Sequence, residues 1–323
     1  MTRFAYLLPL ISGACWGSAG VFVRTLDEAG FDNITITFSR VAVMALILVI
    51  GTLLYDKSLF RVNKRDLGLL AIIGVDGYVL MNICYNISIT TLSMSLASIL
   101  LCTAPVFVII FGRILFGEKI TVVRLACMVG ALMGCVLLSG VVESGALKWS
   151  VLGLSMGVAS SMSNALFAIV LKEVTDVRKV HPLTIQVYTA IIGLIVMAPF
   201  TDYGIMVDFV AERPLWSSLF LLAHAVVVSL MPNLLFTVAF VFVDSGVASI
   251  LASGAEPTAA LILGLLVYRE VPTVLGVIGM AIVVVSMIVL SRTDVKTTVA
   301  EPDAAVLDAA VSDVAVKEDS YDH

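Results

Sequence analysis

The sequence predicts an all-α polytopic membrane protein with ten transmembrane helices arranged as two inverted five-helix repeats. Three observations predict it. Hydrophobic residues make up 60% of the 323 and charged ones 13%, against about 25% charge in a soluble globule, so lipid must solvate much of the surface. Ten apolar runs approach the ~20 residues that a spanning helix needs. The chain also repeats itself. Ala97-Ser98-Ile99-Leu100, Pro105 and Glu118 recur as Ala248-Ser249-Ile250-Leu251, Pro257 and Glu270, with the same proline-to-glutamate separation.

Taken in order, segment one (4–23) follows Arg3, reaches spanning length and shows no small-residue cleavage site, so it reads as a signal anchor. Segment two (34–54) stops before Lys57, Arg61, Lys64 and Arg65, and segment three (67–88) starts beyond them. Segment four (92–116) carries the first copy of the repeated motif and ends at Arg113 and Lys119. Segment five (120–140) closes a first unit, 1–142. Segment six (149–171) stops at Lys172, Arg178 and Lys179, and segments seven (183–200) and eight (215–238) follow. Segment nine (245–268) carries the second copy, and segment ten (272–291) closes a second unit, 143–291. These runs are too long and too uniformly apolar for barrel strands, which alternate over about ten residues. The tail 292–323 is acidic and aperiodic and is expected to be disordered.

Lys and Arg concentrate in cytoplasmic loops. Lys57 to Arg65, Arg113 to Arg124, Lys172 to Lys179, and Arg292 with Lys296 form one set, and Arg24, Lys148, Arg213 and Arg269 the other. Both termini are therefore expected in the cytoplasm, in the plasma (cell inner) membrane. Five spans per unit is an odd number, so the second unit must enter the membrane upside down. Glu118 is then expected at the cytoplasmic face and Glu270 at the outer face. Arg24 and Lys172, Asn82 and Asn233, and Ser139 and Ser291 recur at nearly the same shift.

Several classes are disfavoured. The five cysteines all fall inside predicted spans without a CxxC pair, so neither a metal nor a disulfide framework is expected. No cofactor motif, basic nucleic-acid patch or Walker lysine loop is present.

Trp16-Gly17, Arg40, the stretch from Pro105-Val106-Phe107 through Leu115-Phe116-Gly117-Glu118-Lys119-Ile120, and Glu256-Pro257 through Glu270 together resemble the EamA branch of the drug/metabolite transporter superfamily. The resemblance covers roughly 5–291 and rests on spacing and repetition. It implies ten helices in two inverted repeats around a central cavity, lined mainly by helices three, four, eight and nine. It also implies movement of amino acids, related metabolites or drugs, often outward. Segment six departs from the pattern, with Asn164 where segment one has Trp16.

A charge at mid-membrane costs about 2.5–3.5 kcal/mol on insertion scales, so such residues face a cavity or a partner. Asp76, His224 and Glu256 fall near helix centres, and Arg40 lies shallower, about two turns from the outer end of segment two. Pro257 removes a backbone donor and frees the carbonyl of Ser253. A kink beside Glu256 suits a cation or ammonium group, and equally suits helix packing. Asp76 and His224 lie on repeat-mate helices and could exchange a proton, since His titrates near neutrality. Protons are then the candidate coupling ion, and a static hydrogen-bonded pair is the alternative.

Asn82 and Asn233 either bind a substrate carboxylate or carbonyl or cross-link helices, at about 0.6 kcal/mol for a typical intramembrane contact. Trp16, Tyr78 and Tyr85 either stack on an amphipathic substrate or pack the interior. Pro105, Glu118, Pro257 and Glu270 form a structural or gating set. The two glutamates are expected to accept backbone donors at the start of the following helix. The pairs Gly13/Gly17, Gly130/Gly134 and Gly153/Gly157 allow close helix approach, within the chain or in a homodimer.

A secondary transporter of small amphipathic metabolites is the leading expectation, with the lipid bilayer and a small-molecule substrate as partners. A sugar-phosphate or nucleotide-sugar exchanger needs cavity Lys or Arg, for which Arg40 alone is a candidate. An intramembrane hydrolase is the remote alternative. HExxH is absent, and no carboxylate pair sits in a recognisable motif.

Overall fold

The computed structural model describes residues 6–116, 121–138, 150–242, 245–271, 273–286 and 288–289. Glu118 and the tail lie outside them. The described residues are helical throughout, without strands. Seven helices are long and apolar enough to cross a membrane, and Leu125–Gly134, Gly254–Tyr268 and Val274–Ser286 are shorter apolar helices.

We label the helices α1 (Leu7–Glu28), α2 (Asn33–Tyr55), α3 (Lys64–Thr91), α4 (Met94–Cys102 with Ala104–Phe116), α5 (Val122–Leu138) and α6 (Val151–Lys172). There follow α7 (Pro182–Met197), α8 (Pro214–Ala223, His224–Leu230 and Met231–Phe242), α9 (Ser245–Tyr268) and α10 (Val274–Ser286).

Local chemistry sets the ends. α1 runs past the expected 23 to Glu28 and stops where Gly30 adopts φ +90°, the left-handed closure that favours glycine. Asp32 caps α2 by accepting from the Ile34 and Thr35 amides. α7 starts with Pro182 in its first turn, behind a His181 cap. Between α7 and α8 lies a short helix, Tyr203–Glu212, capped by Asp202, where the sequence suggests only a loop. The two prolines of the repeat behave differently. Pro105 is the second residue of a helix that restarts after Thr103, whereas Pro257 sits inside the unbroken α9.

Small residues set the packing. A Cβ on Gly13 or Gly17 would run into the Ala252 and Glu256 carbonyls of α9. In the other half, Gly153 and Gly157 of α6 meet Thr91, Leu92 and Leu100. Gly130 and Gly134 of α5 lie against Ser286 and Val283 of α10. All three GxxxG faces are thus occupied within the chain. Leu54, Val122, Leu215 and Val271 stand exposed, as lipid-facing side chains should.

Hydrogen bonds fix the relation of the halves. Thr184 Oγ1 donates to the Leu59 carbonyl (2.9 Å) and the Tyr188 hydroxyl to that of Phe60 (2.7 Å), so the loop between α2 and α3 lies beside the start of α7. At the other end of α2, the Asp202 amide donates to Thr35 Oγ1 (2.9 Å). The corresponding loops of the two halves therefore sit at opposite ends of α2.

Candidate functional site

The polar interior is built around two π-helical turns that periodicity does not reveal. Gly74–Leu80 interrupts α3 and His224–Leu230 interrupts α8, each seven residues long. Both give way to α-helix at a methionine, Met81 and Met231. A π turn widens the helix and leaves carbonyls poorly matched to donors, and such turns recur at functional sites. Here two amides serve them. Asn82 Nδ2 donates to the Gly77 (2.9 Å) and Tyr78 (3.1 Å) carbonyls, and Asn233 Nδ2 to that of Ser229 (2.6 Å).

Asn82 also holds Arg40, because its Oδ1 accepts from Arg40 Nη2. Arg40 is only 6% exposed, two turns into α2 yet fully inside the bundle. The short helix packs on α2 nearby, with Tyr203 edge-on to Phe38 at 5.6 Å. Tyr78, Tyr85 and His224 are the titratable side chains that act on the guanidinium. Tyr78 donates its hydroxyl to Gln186 Oε1, a residue that sequence reasoning missed because a lone Gln near a helix start carries no pattern.

The remaining sequence candidates lie on different walls. Asp76 is half-buried beside Ser163 of α6, and its Oδ2 has no partner. His224 is fully buried, stacked on Phe22 of α1 (5.2 Å, 9°), and neither ring nitrogen has a partner. No hydrogen bond joins Asp76 to His224 among the described residues. Glu256 lies within reach of the Cys102 thiol and acts on Tyr85. Trp16 meets Phe236 edge-on at 5.5 Å, which is a packing contact.

A cavity of about 190 Å³ is lined by Met44, Leu48, Gln186, Ser229, Leu230 and Asn233 and reaches His181 and Leu183 at the start of α7. It therefore opens toward the face that carries the basic loops. At the opposite face the helices are tied together. Arg24 Nη1 pairs with Glu270 Oε1 (2.7 Å), and Glu270 Oε2 accepts from the Met94 amide (3.0 Å). Arg24 also donates to the Ile89 (3.0 Å) and Leu92 (2.6 Å) carbonyls and lies 4.7 Å over the Tyr268 ring. Glu270 thus caps the start of α4.

Gly153-Leu154-Ser155-Met156-Gly157 spells G-x-S-x-G, but it lies inside α6, with Ser155 Oγ donating to the Leu152 carbonyl (2.9 Å). A serine nucleophile of that class sits on a strained strand-to-helix turn, so the spelling carries no hydrolase site. Among the described residues, no cluster of His, Cys, Asp and Glu could hold a metal ion.

The model of the EamA-like transporter family matches the chain twice, at residues 3–140 and 151–292. An uncharacterized transporter of Archaeoglobus fulgidus is 22% identical over 178 residues, 55% of this chain and 59% of its own. A probable terminal-alkyne amino-acid exporter of Streptantibioticus cattleyicolor is 27% identical over 125 residues, 38% of this chain and 41% of its own. The chain thus matches about half the length of these curated relatives. A solved structure described only as "Crystal structure of protein" shares the fold, with TM-score 0.58 and 16% identity over 91% of this chain and 99% of its own.

Proposed function

The chain belongs to the EamA-like transporter family, and on that premise we propose that it is a secondary transporter that exports small amphipathic metabolites such as amino acids across the plasma membrane. In this reading ten helices form two inverted repeats, 1–142 and 143–291, with both termini cytoplasmic. The site lies at mid-membrane among Trp16, Arg40, Asp76, Tyr78, Asn82, Tyr85, His224, Asn233 and Glu256, with Pro105, Pro257, Glu118 and Glu270 as structural or gating elements. One observation carries it. The bundle is tied at the Glu270 face by Arg24 while a cavity opens at the other, the asymmetry expected of one alternating-access state. The amino-acid exporter among the relatives supports the cargo class. Protein reconstituted in vesicles should move radiolabelled amino acids down a gradient. Absence of flux across a panel of amphipathic amino acids would overturn the cargo reading.

Asp76 and His224 are proposed to carry proton coupling, because each occupies a π turn and each retains an unpartnered polar atom. Substrate-driven pH change in proteoliposomes should fall about ten-fold or more in Asp76→Asn and His224→Gln, the size of effect expected on removing a proton-transfer group. An unchanged signal in both removes protons from the mechanism.

A further inference from the structure

Among the described residues, Arg40 is a buried cation without an ion-pair partner. No carboxylate of a described residue lies within ion-pair distance of it, and its Nη2 donates to a neutral amide oxygen. A guanidinium carries five N–H donors, and Nε is buried without a partner. A cation removed from water needs an anion or a full set of acceptors, and the described residues supply neither. Asn82 cannot turn to offer more, since its Nδ2 is committed to the π-turn carbonyls of Gly77 and Tyr78.

The cavity is walled in part by the same helix as Arg40. Met44 and Leu48 line it from α2, one and two turns beyond Arg40, and Gln186 lines it while accepting from Tyr78. The cavity's lining includes no Lys, Arg, Asp or Glu. A dianion would leave one negative charge unmatched, since Arg40 is a single positive charge.

The geometry points to Arg40, positioned by Asn82, as the anchor for a monoanionic carboxylate on the cargo. This deepens the transporter reading and rests on it. The carboxylate accepts from Arg40 and completes the missing ion pair, so cargo lacking it is not retained. The Glu256 carboxyl acts on the same Tyr85 but forms no ion pair with Arg40 among the described residues.

The test uses detergent-purified full-length protein and two matched series: leucine and phenylalanine, their carboxamides, their decarboxylated amines and their des-amino acids, with phenyl phosphate as the dianion. Thermal unfolding should shift with the compounds that keep the carboxylate and not with carboxamides, amines or phenyl phosphate. Asn82→Asp places a carboxylate in the pair permanently. It also gives up the two hydrogen bonds to the Gly77 and Tyr78 carbonyls, and in protein that remains folded it should weaken carboxylate binding about ten-fold or more, the equivalent of one lost charge-assisted contact. Arg40→Gln should lose the same response. Equal stabilisation by amines or carboxamides, no response to any carboxylate, or wild-type carboxylate affinity in folded Asn82→Asp overturns the assignment. Vesicle flux separates the two claims. Binding of carboxylates without transport contradicts the transporter reading alone, and transport of amines without carboxylates contradicts the anchor alone.

Discussion

Gly17→Leu is expected to abolish folded protein, not merely to slow it. Gly17 faces the Glu256 carbonyl, Ala259 and the Ala260 amide of α9. Most of those atoms are backbone and cannot step aside as a flexible side-chain end does. Overpacking a close contact costs about 1–3 kcal/mol where side chains can shift, and more is expected where they cannot. Native stability of about 5–15 kcal/mol leaves little margin once α1 and α9 are pushed apart. Gly13→Leu should fail in the same way against the Ala252 carbonyl and Ala255. Gly51 and Gly68, where an added Cβ would meet nothing within 4 Å, are the controls. Yield of monodisperse protein after detergent extraction checks this. Normal yield for Gly17→Leu would mean that α1 and α9 do not pack as described.

Glu270→Gln is expected to open the face that Arg24 now ties shut. The change removes an ion pair between side chains 14% and 25% exposed and weakens the cap on α4. An exposed pair contributes about 0.2–1 kcal/mol, and a cap about 0.5–2 kcal/mol. Together these are of order 1–3 kcal/mol, and each 1.4 kcal/mol is a ten-fold change in population. Ala97, fully buried in the cluster with Val23, Leu26 and Tyr85, reports the opening. A cysteine placed there should react with a membrane-impermeant thiol reagent about ten-fold or more faster in Glu270→Gln than in the parent. Equal rates would reduce the Arg24–Glu270 contact to simple packing.

Much of the fold is legible in the sequence. Apolar runs of spanning length and a tandem motif depend only on composition and order, which sequence records directly. The α1–α9 contact is half legible, since Gly13 and Gly17 announce close approach but not its partner. Glu270 stands out in the sequence, but its pairing with Arg24 and Met94 is not legible there, because it joins residues far apart in the chain. Arg40 looks shallow by its distance from a helix end. Burial depends instead on the neighbouring helices, which bring Asn82, Tyr78 and Tyr85 of α3 against it. The π turns at Asp76 and His224 are illegible for a plainer reason. They change the hydrogen-bond partner by one residue and leave the hydrophobic pattern almost intact.

The central claim is that the second unit is the first one inverted across the bilayer. Single-cysteine labelling at Lys57 and at Tyr203, in the corresponding loops of the two units, tests it most directly. Lys57 should be protected from an impermeant reagent in intact cells and Tyr203 labelled, with both labelled after permeabilisation. Labelling of both positions from the same side would contradict the inverted arrangement and the alternating-access reading built on it.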